Sequence, residues 1–136
     1  MKIAVLTSGG DAPGMNAAIR AISRYAIHMG WDVFGVQRGY QGLLEGDFLQ
    51  IGLRDVGGII GAGGTILGSS RSPEFQTLEG RKTALRQLRE NRFDALIVIG
   101  GNGTQKGSFS LSQMGFPIIG VASTIDNDLY GSDVTI

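Results

Sequence analysis

The sequence predicts a three-layer α/β domain, a mostly parallel sheet with helices on both faces. Two observations lead there. Apolar runs of strand length, at 2–7, 31–36, 93–100 and 116–122, alternate with stretches of helical period. The 23 glycines cluster at the ends of apolar runs, so they read as strand-to-helix turns and not as a linker.

The elements follow in order. Residues 2–7 (KIAVLT) form a compact, β-branched-rich run, the pattern of a strand covered on both faces. Pro13 suits a helix start, because the first turn has no use for the missing N–H. From Met15, apolar residues recur at Ala18, Ile19, Ile22, Ala26 and Met29, one helical face, and Gly30 is the C-cap. Residues 31–36 give a second strand, 47–51 a short third, and 53–60 a brief helix. Residues 61–73 read as a Gly/Ser-rich loop too polar for the core. In 79–91, Ala84, Leu85 and Leu88 interrupt a run of charges, which predicts an exposed amphipathic helix. FDALIVIG (93–100) is the clearest strand; a small-residue helix begins near Gly103, and 116–122 is a further strand. The whole chain, 1–136, is read as one domain. Because it stops on SDVTI, at the apparent start of another element, that domain is expected to be incomplete and the chain an amino-terminal fragment.

Composition narrows the function classes. Hydrophobic residues make up 42% of the chain and charges balance at 12 of each sign, so nothing favours a nucleic-acid or membrane partner. With no cysteine, disulfide and thiolate chemistry are excluded, and a reducing cytoplasm is the expected setting. The apolar part of MKIAVLTSGG is too short for a signal peptide or a membrane span.

Ligands of open parallel sheets bind beyond the carboxyl ends of the strands. Three such ends carry unusual residues: Thr7-Ser8-Gly9-Gly10-Asp11, Gly100-Gly101-Asn102-Gly103-Thr104 and Ser123-Thr124-Ile125-Asp126-Asn127-Asp128. Glycine lets backbone N–H groups approach a phosphate, and a following helix turns its positive end toward the anion. Neither common phosphate fingerprint fits. Lys106 stands where G-x-G-x-x-G needs glycine, and no G-x-x-x-x-G-K-[ST] occurs, which disfavours an ordinary NAD site and a P-loop. Asp126 and Asp128, two residues apart, share a side in an extended segment. They could accept a hydroxyl proton and hold or orient a metal, or they could form a solvated Asx-turn. Arg71, in GSSRSPEF, is either a phosphoryl clamp or a surface cation. Arg20 and Arg24, one helical turn apart off the apolar stripe, suit an anionic partner or a solvated face.

Taken together, TSGGDAPGMNAAIR (7–20), GGTILGSSRSPEF (63–75), IGGNGT (99–104) and TIDND (124–128) resemble bacterial ATP-dependent 6-phosphofructokinases in order and spacing. The resemblance implies transfer of the ATP γ-phosphoryl group to the 1-hydroxyl of fructose 6-phosphate, with Mg²⁺, in a cytoplasmic homotetramer under allosteric control. It implies that Gly10 contacts the nucleotide phosphates, that Arg71 and Ser72 line the ATP site, and that Gly101, Asn102, Gly103 and Thr104 cradle it. Thr124, Ile125 and Asp126 would meet the sugar, with Asp126 the proton acceptor and Asp128 in electrostatic support. Arg20 and Arg24 match an effector-nucleotide site at a subunit interface.

Three departures from the family pattern stand out. Asn102 replaces the metal-facing acid of GGDG, so its amide oxygen can ligate Mg²⁺ but adds no charge. Ala122-Ser123 replaces the Pro-Gly before TIDND. Residues 53–58 match the rest of the effector site poorly. Pyrophosphate-using relatives carry Asp at the position of Gly103 and Lys at that of Ser123; neither is present, which favours ATP. An NAD-kinase-like enzyme, which shares a GGDG-type turn, and a non-catalytic binding paralogue are the alternatives.

Overall fold

Lys2–Ser8 is the central strand, β1, and its alternating side chains divide the protein into two cores. Ala4 and Leu6 point to one face, Ile3 and Val5 to the other, and none is more than 3% exposed. A strand apolar on both sides must be covered on both sides, which is why a parallel sheet forms here. The computed structural model describes residues 1–9, 14–59 and 65–122.

From β1 the chain enters helix α1 (Met15–His28) and returns as β2 (Asp32–Val36), parallel to β1 from Lys2↔Asp32 to Leu6↔Val36. Helix α2 (Gly39–Glu45) leads to β3 (Phe48–Gln50), which pairs antiparallel with β2. After the short α3 (Leu53–Val56), a 3-10 turn at Pro73–Gln76 precedes α4 (Leu78–Glu90). Strand β4 (Ala95–Gly100) then pairs parallel with the other side of β1, from Ile3↔Ala95 to Ser8↔Gly100. Helix α5 (Asn102–Ser112) connects it to β5 (Ile118–Ala122), parallel to β4. The sheet order is β3-β2-β1-β4-β5.

Because the chain leaves β1 toward one edge and resumes at β4 on the other, crossovers of one hand put their helices on opposite faces. Helices α2, α4 and α5 contribute Leu43, Leu88 and Leu111 to the core over Leu6, Leu96 and Val98. Helix α1 packs Met15, Ile19 and Ala26 over Ile3, Val5 and Ile99, with Val56 of α3 beside them. Each fully buried leucine is worth roughly 1.5–3 kcal/mol relative to exposure. Over β4 and β5 the α1 layer stops short. There Ile22, Tyr25, Trp31, Ile97 and Ile119 line an open apolar groove of about 460 Å³.

The three-layer, mostly parallel expectation holds, and four local readings are corrected. Helix α2 was not predicted: it is short, holds Gly39 and Gly42, and begins after a left-handed Arg38. It forms because Tyr40, Leu43 and Leu44 bury one face. Arg38 also bridges Glu45 and Asp47, at 2.5 and 2.9 Å, across the far end of α2. The loop expected to be too polar for the core sends Leu67 into it, 5% exposed, over the Cβ-less face of Gly35. Helix 79–91 is amphipathic but not peripheral, since Ala84 and Leu88 are fully buried. The helix expected over 53–60 is a single turn ending at Val56.

Candidate functional site

The strand order places a switch point between β1 and β4, whose connections depart to opposite edges of the sheet. The crevice beyond their carboxyl ends is where such a sheet receives ligands. Ser8 and Gly100 are paired there, so the first and second glycine turns of the sequence open side by side.

Close packing between the turns explains two of the glycines. Gly9 has φ of 87°, and a Cβ on it would lie 3.1 Å from Thr104 Oγ1. A Cβ on Gly100 would stand 2.5 Å from both the Ser8 carbonyl oxygen and Thr104 Cγ2. Thr104 is itself buried, so the first turn of α5 rests on the end of β1.

Gly101 is the N-cap of α5 and offers no side chain, so the N–H groups of the first turn are left for another acceptor. That turn carries no acidic residue, and Asn102 and Gly103 are exposed. An eleven-residue helix ending this way presents a positive, donor-rich terminus to an anion.

The loop before the 3-10 turn is tied down over the end of β1. Thr7 Oγ1 lies 2.8 Å from Thr65 Oγ1 and donates to the Gly68 carbonyl at 2.9 Å. Ser69 donates to the Gly9 carbonyl at 2.9 Å, and the Arg38 N–H donates to the Leu67 carbonyl at 2.8 Å. Arg71 follows two residues after Ser69 and is exposed; Ser72 caps the 3-10 turn by accepting from the Phe75 N–H. Arg71 is thus carried two residues from the tie to the end of β1.

Three residues that the sequence reading passed over shape this edge. Tyr40 of α2 donates to the Thr104 carbonyl at 2.7 Å, and burial pushes its phenol well above its ordinary value, so it stays protonated as a donor. Gln105 Nε2 lies 3.2 Å from the carbonyls of Val98 and Gly100 and 3.0 Å from that of Val121, joining the ends of β4 and β5. Ser69 is the third, through its tie to Gly9. Nothing local marks any of the three, since a glutamine in a helix reads only as a helix former.

Of the expected site residues, Gly101, Asn102, Gly103 and Thr104 gather at the switch point, with Arg71 and Ser72 on the loop pinned beside it. Gly10, Thr124, Ile125, Asp126 and Asp128 lie outside the described residues. Arg20 and Arg24 lie on α1, away from this turn in sequence. Arg24 is exposed, whereas Arg20 is half-buried and its Nε finds no partner among the described residues.

Glycine-lined turns and an open helix N-terminus at the switch point of a doubly wound sheet define an α/β protein whose crevice suits an anion such as phosphate. The phosphofructokinase family model matches residues 2–136, and the chain belongs to that family. It is 57% identical over 134 residues to the ATP-dependent 6-phosphofructokinase of Clostridioides difficile (strain 630), a match that covers 98% of this chain and 42% of that protein. It is 51% identical over 135 residues to the enzyme of the same name from Streptococcus pyogenes serotype M5 (strain Manfredo), covering 99% of this chain and 40% of the relative. Among solved structures, the T-state phosphofructokinase of Pichia pastoris superposes with a TM-score of 0.93 at 39% identity, over 99% of this chain and 16% of that one. The chain thus spans about two-fifths of the length of the bacterial relatives it matches.

Proposed function

We propose that the chain is the amino-terminal, nucleotide-binding part of a glycolytic ATP-dependent 6-phosphofructokinase. The observation that carries this is the meeting of the Gly9 turn, the open α5 terminus and the pinned Arg71 loop at one switch point. The 57% identity to an ATP-dependent 6-phosphofructokinase supports it. Membership of the family speaks against the NAD-kinase-like alternative.

In this reading the first turn of α5, from Gly101 to Thr104, and the Gly10 turn hold the phosphates of ATP. Arg71 and Ser72 line the same site, and the Arg71 guanidinium meets the charge that develops on the transferred group. Thr124, Ile125 and Asp126 meet fructose 6-phosphate. Asp126 takes the proton from the 1-hydroxyl as that oxygen bonds to the γ-phosphorus, and the bond to the leaving ADP oxygen breaks. Asp128 supports this centre electrostatically. Asn102, exposed in the first turn, fits a neutral oxygen ligand, and Mg²⁺ would supply charge neutralisation across the phosphates. The working protein is a cytoplasmic homotetramer, with Arg20 and Arg24 at an effector site between subunits. No helix among the described residues is long and apolar enough to cross a membrane.

Turnover of fructose 6-phosphate by the full-length protein tests this reading; its absence alongside intact sugar-phosphate binding would favour the non-catalytic paralogue. The same assay tests the donor. Gly103 leaves room where an acid would repel the α-phosphate, so kcat/KM with ATP should exceed that with pyrophosphate, and the reverse order would overturn the choice.

Asn102→Asp gives a second expectation. Charge-assisted contacts exceed neutral ones by roughly 1 kcal/mol or more, and about 1.4 kcal/mol is tenfold. The substitution should therefore lower the Mg²⁺ needed for half-maximal activity about fivefold, with the gain fading at saturation. An acid in the first turn of α5 also favours the helix by about 0.3–1 kcal/mol, so the melting temperature should not fall. Titrating Mg²⁺ at fixed ATP decides it; an unchanged or higher requirement means that position 102 does not face the metal.

A further inference from the structure

We propose that Asn102-Gly103 is a self-modification site, at which the Asn102 carboxamide is hydrolysed to a carboxylate through a succinimide closed by the Gly103 nitrogen. The modification rests on these two residues alone. Its consequence for the metal rests on the nucleotide reading above.

Such chemistry asks three things of an asparagine: a following residue that does not shield its nitrogen, an N–H not already bonded, and a carboxamide open to water. Of the four asparagines here, Asn16, Asn91, Asn102 and Asn127, only Asn102 precedes glycine. A Cβ built on Gly103 would meet nothing within 4 Å among the described residues, so there is room for the ring to close. The first backbone bond of α5 runs from the Gln105 N–H to the Gly101 carbonyl. The Gly103 N–H, two residues earlier, therefore has no acceptor within the helix. Asn102 and Gly103 are both exposed. Asn16 and Asn91 are placed differently. Asn16 is 2% exposed and accepts from the Ile66 N–H at 2.8 Å. Asn91 donates through its side chain to the Gln87 carbonyl at 2.8 Å, and the Arg92 N–H after it is given to the Arg89 carbonyl at 3.0 Å.

Water is the only co-reactant. The Gly103 nitrogen gives up its proton and bonds to the Asn102 Cγ; the carboxamide C–N bond breaks, and its nitrogen leaves with a proton as ammonia. Water then opens the ring at either carbonyl, giving aspartate or isoaspartate. A closed helical turn holds the nitrogen away from Cγ, so the ring forms when the end of α5 opens, and helix ends are where opening costs least. An anion seated on the same N–H groups keeps the turn closed.

The test incubates the full-length protein at neutral pH, with and without ATP, and follows each asparagine by peptide mass spectrometry. Conversion at Asn102 should outpace that at Asn16 and Asn91 at least about tenfold. Gly103→Ala should slow it by about tenfold, equivalent to roughly 1.4 kcal/mol on the barrier. ATP at about ten times its dissociation constant should also slow it about tenfold, because only the nucleotide-free fraction opens. Asp-N protease, which cuts before aspartate and not before isoaspartate, divides the products. As aspartate accumulates, the Mg²⁺ needed for half-maximal activity should fall toward that of Asn102→Asp. Conversion at Asn102 no faster than at Asn16 and Asn91 overturns the proposal. Conversion that ATP does not slow, in protein that binds ATP, leaves the modification standing and overturns the placing of this turn against the phosphates.

Discussion

Replacing Asp126 with serine in the full-length protein is expected to lower kcat by about 10²–10⁴-fold, the usual contribution of a positioned general base. The argument runs through β5. Its last residue, Ala122, pairs with Gly100 of β4 and so ends level with the start of the phosphate-facing turn. Asp126 follows four residues later, a reach of at most about 14 Å for an extended chain. That span suffices to bring a carboxylate from the β5 end toward the same crevice. A 1-hydroxyl is a weak nucleophile until its proton has somewhere to go, and serine offers no base. Binding of both substrates should change little, so KM should move far less than kcat. If kcat stays within about threefold of wild type, Asp126 is not the base, and Asp128 is the next carboxylate to test.

The second large effect concerns two glycines of one turn that should respond in opposite ways. A Cβ at position 100 would meet the Ser8 carbonyl oxygen and Thr104 Cγ2 at 2.5 Å and Thr104 Cβ at 2.7 Å. These are backbone and short, buried side-chain atoms, so the carboxyl ends of β1 and β4 must separate or α5 must shift. Overpacking of this kind costs about 1–3 kcal/mol, and a displacement of about 1 Å at a site can cost about 10²-fold in rate. Gly100→Ala should therefore lower both the melting temperature and, about a hundredfold, kcat/KM for ATP.

At Gly103 a Cβ meets nothing within 4 Å among the described residues. Helix propensity alone then makes Gly103→Ala stabilising by up to about 1 kcal/mol. If the missing side chain serves the approach of a phosphate, the same variant should lose ATP affinity while gaining stability. Thermal melting and nucleotide titration on both variants separate the cases. A Gly103→Ala protein that keeps full ATP affinity would remove the phosphate role from that residue.

How much of this was legible beforehand can be followed residue by residue. IVIGGNGT shows its strand, its turn and the start of α5 in a few adjacent residues, because apolar runs and glycine turns are local signals. The helix start at Asn102 departs by one residue from the expected Gly103. Helix α2 was missed because its propensity is poor, and its stability comes from Leu43 and Leu44, buried against strands that local reading cannot see. Leu67 misled in the opposite sense. Its neighbours are polar, yet the bare face of Gly35 makes room for it.

By itself the sequence determined the alternation of strands and helices, the two-sided burial of β1, and the glycine turns that mark the site, all set by composition and spacing within a dozen residues. Only the tertiary structure decided the order β3-β2-β1-β4-β5, the antiparallel β3 at its edge, and hence which two turns share the crevice. It alone joined Tyr40 to Thr104, Ser69 to Gly9 and Gln105 to Val121. The reason is physical. Strand order depends on which apolar faces can be buried together across a whole sheet, and partners for buried polar groups are chosen only after that packing is set.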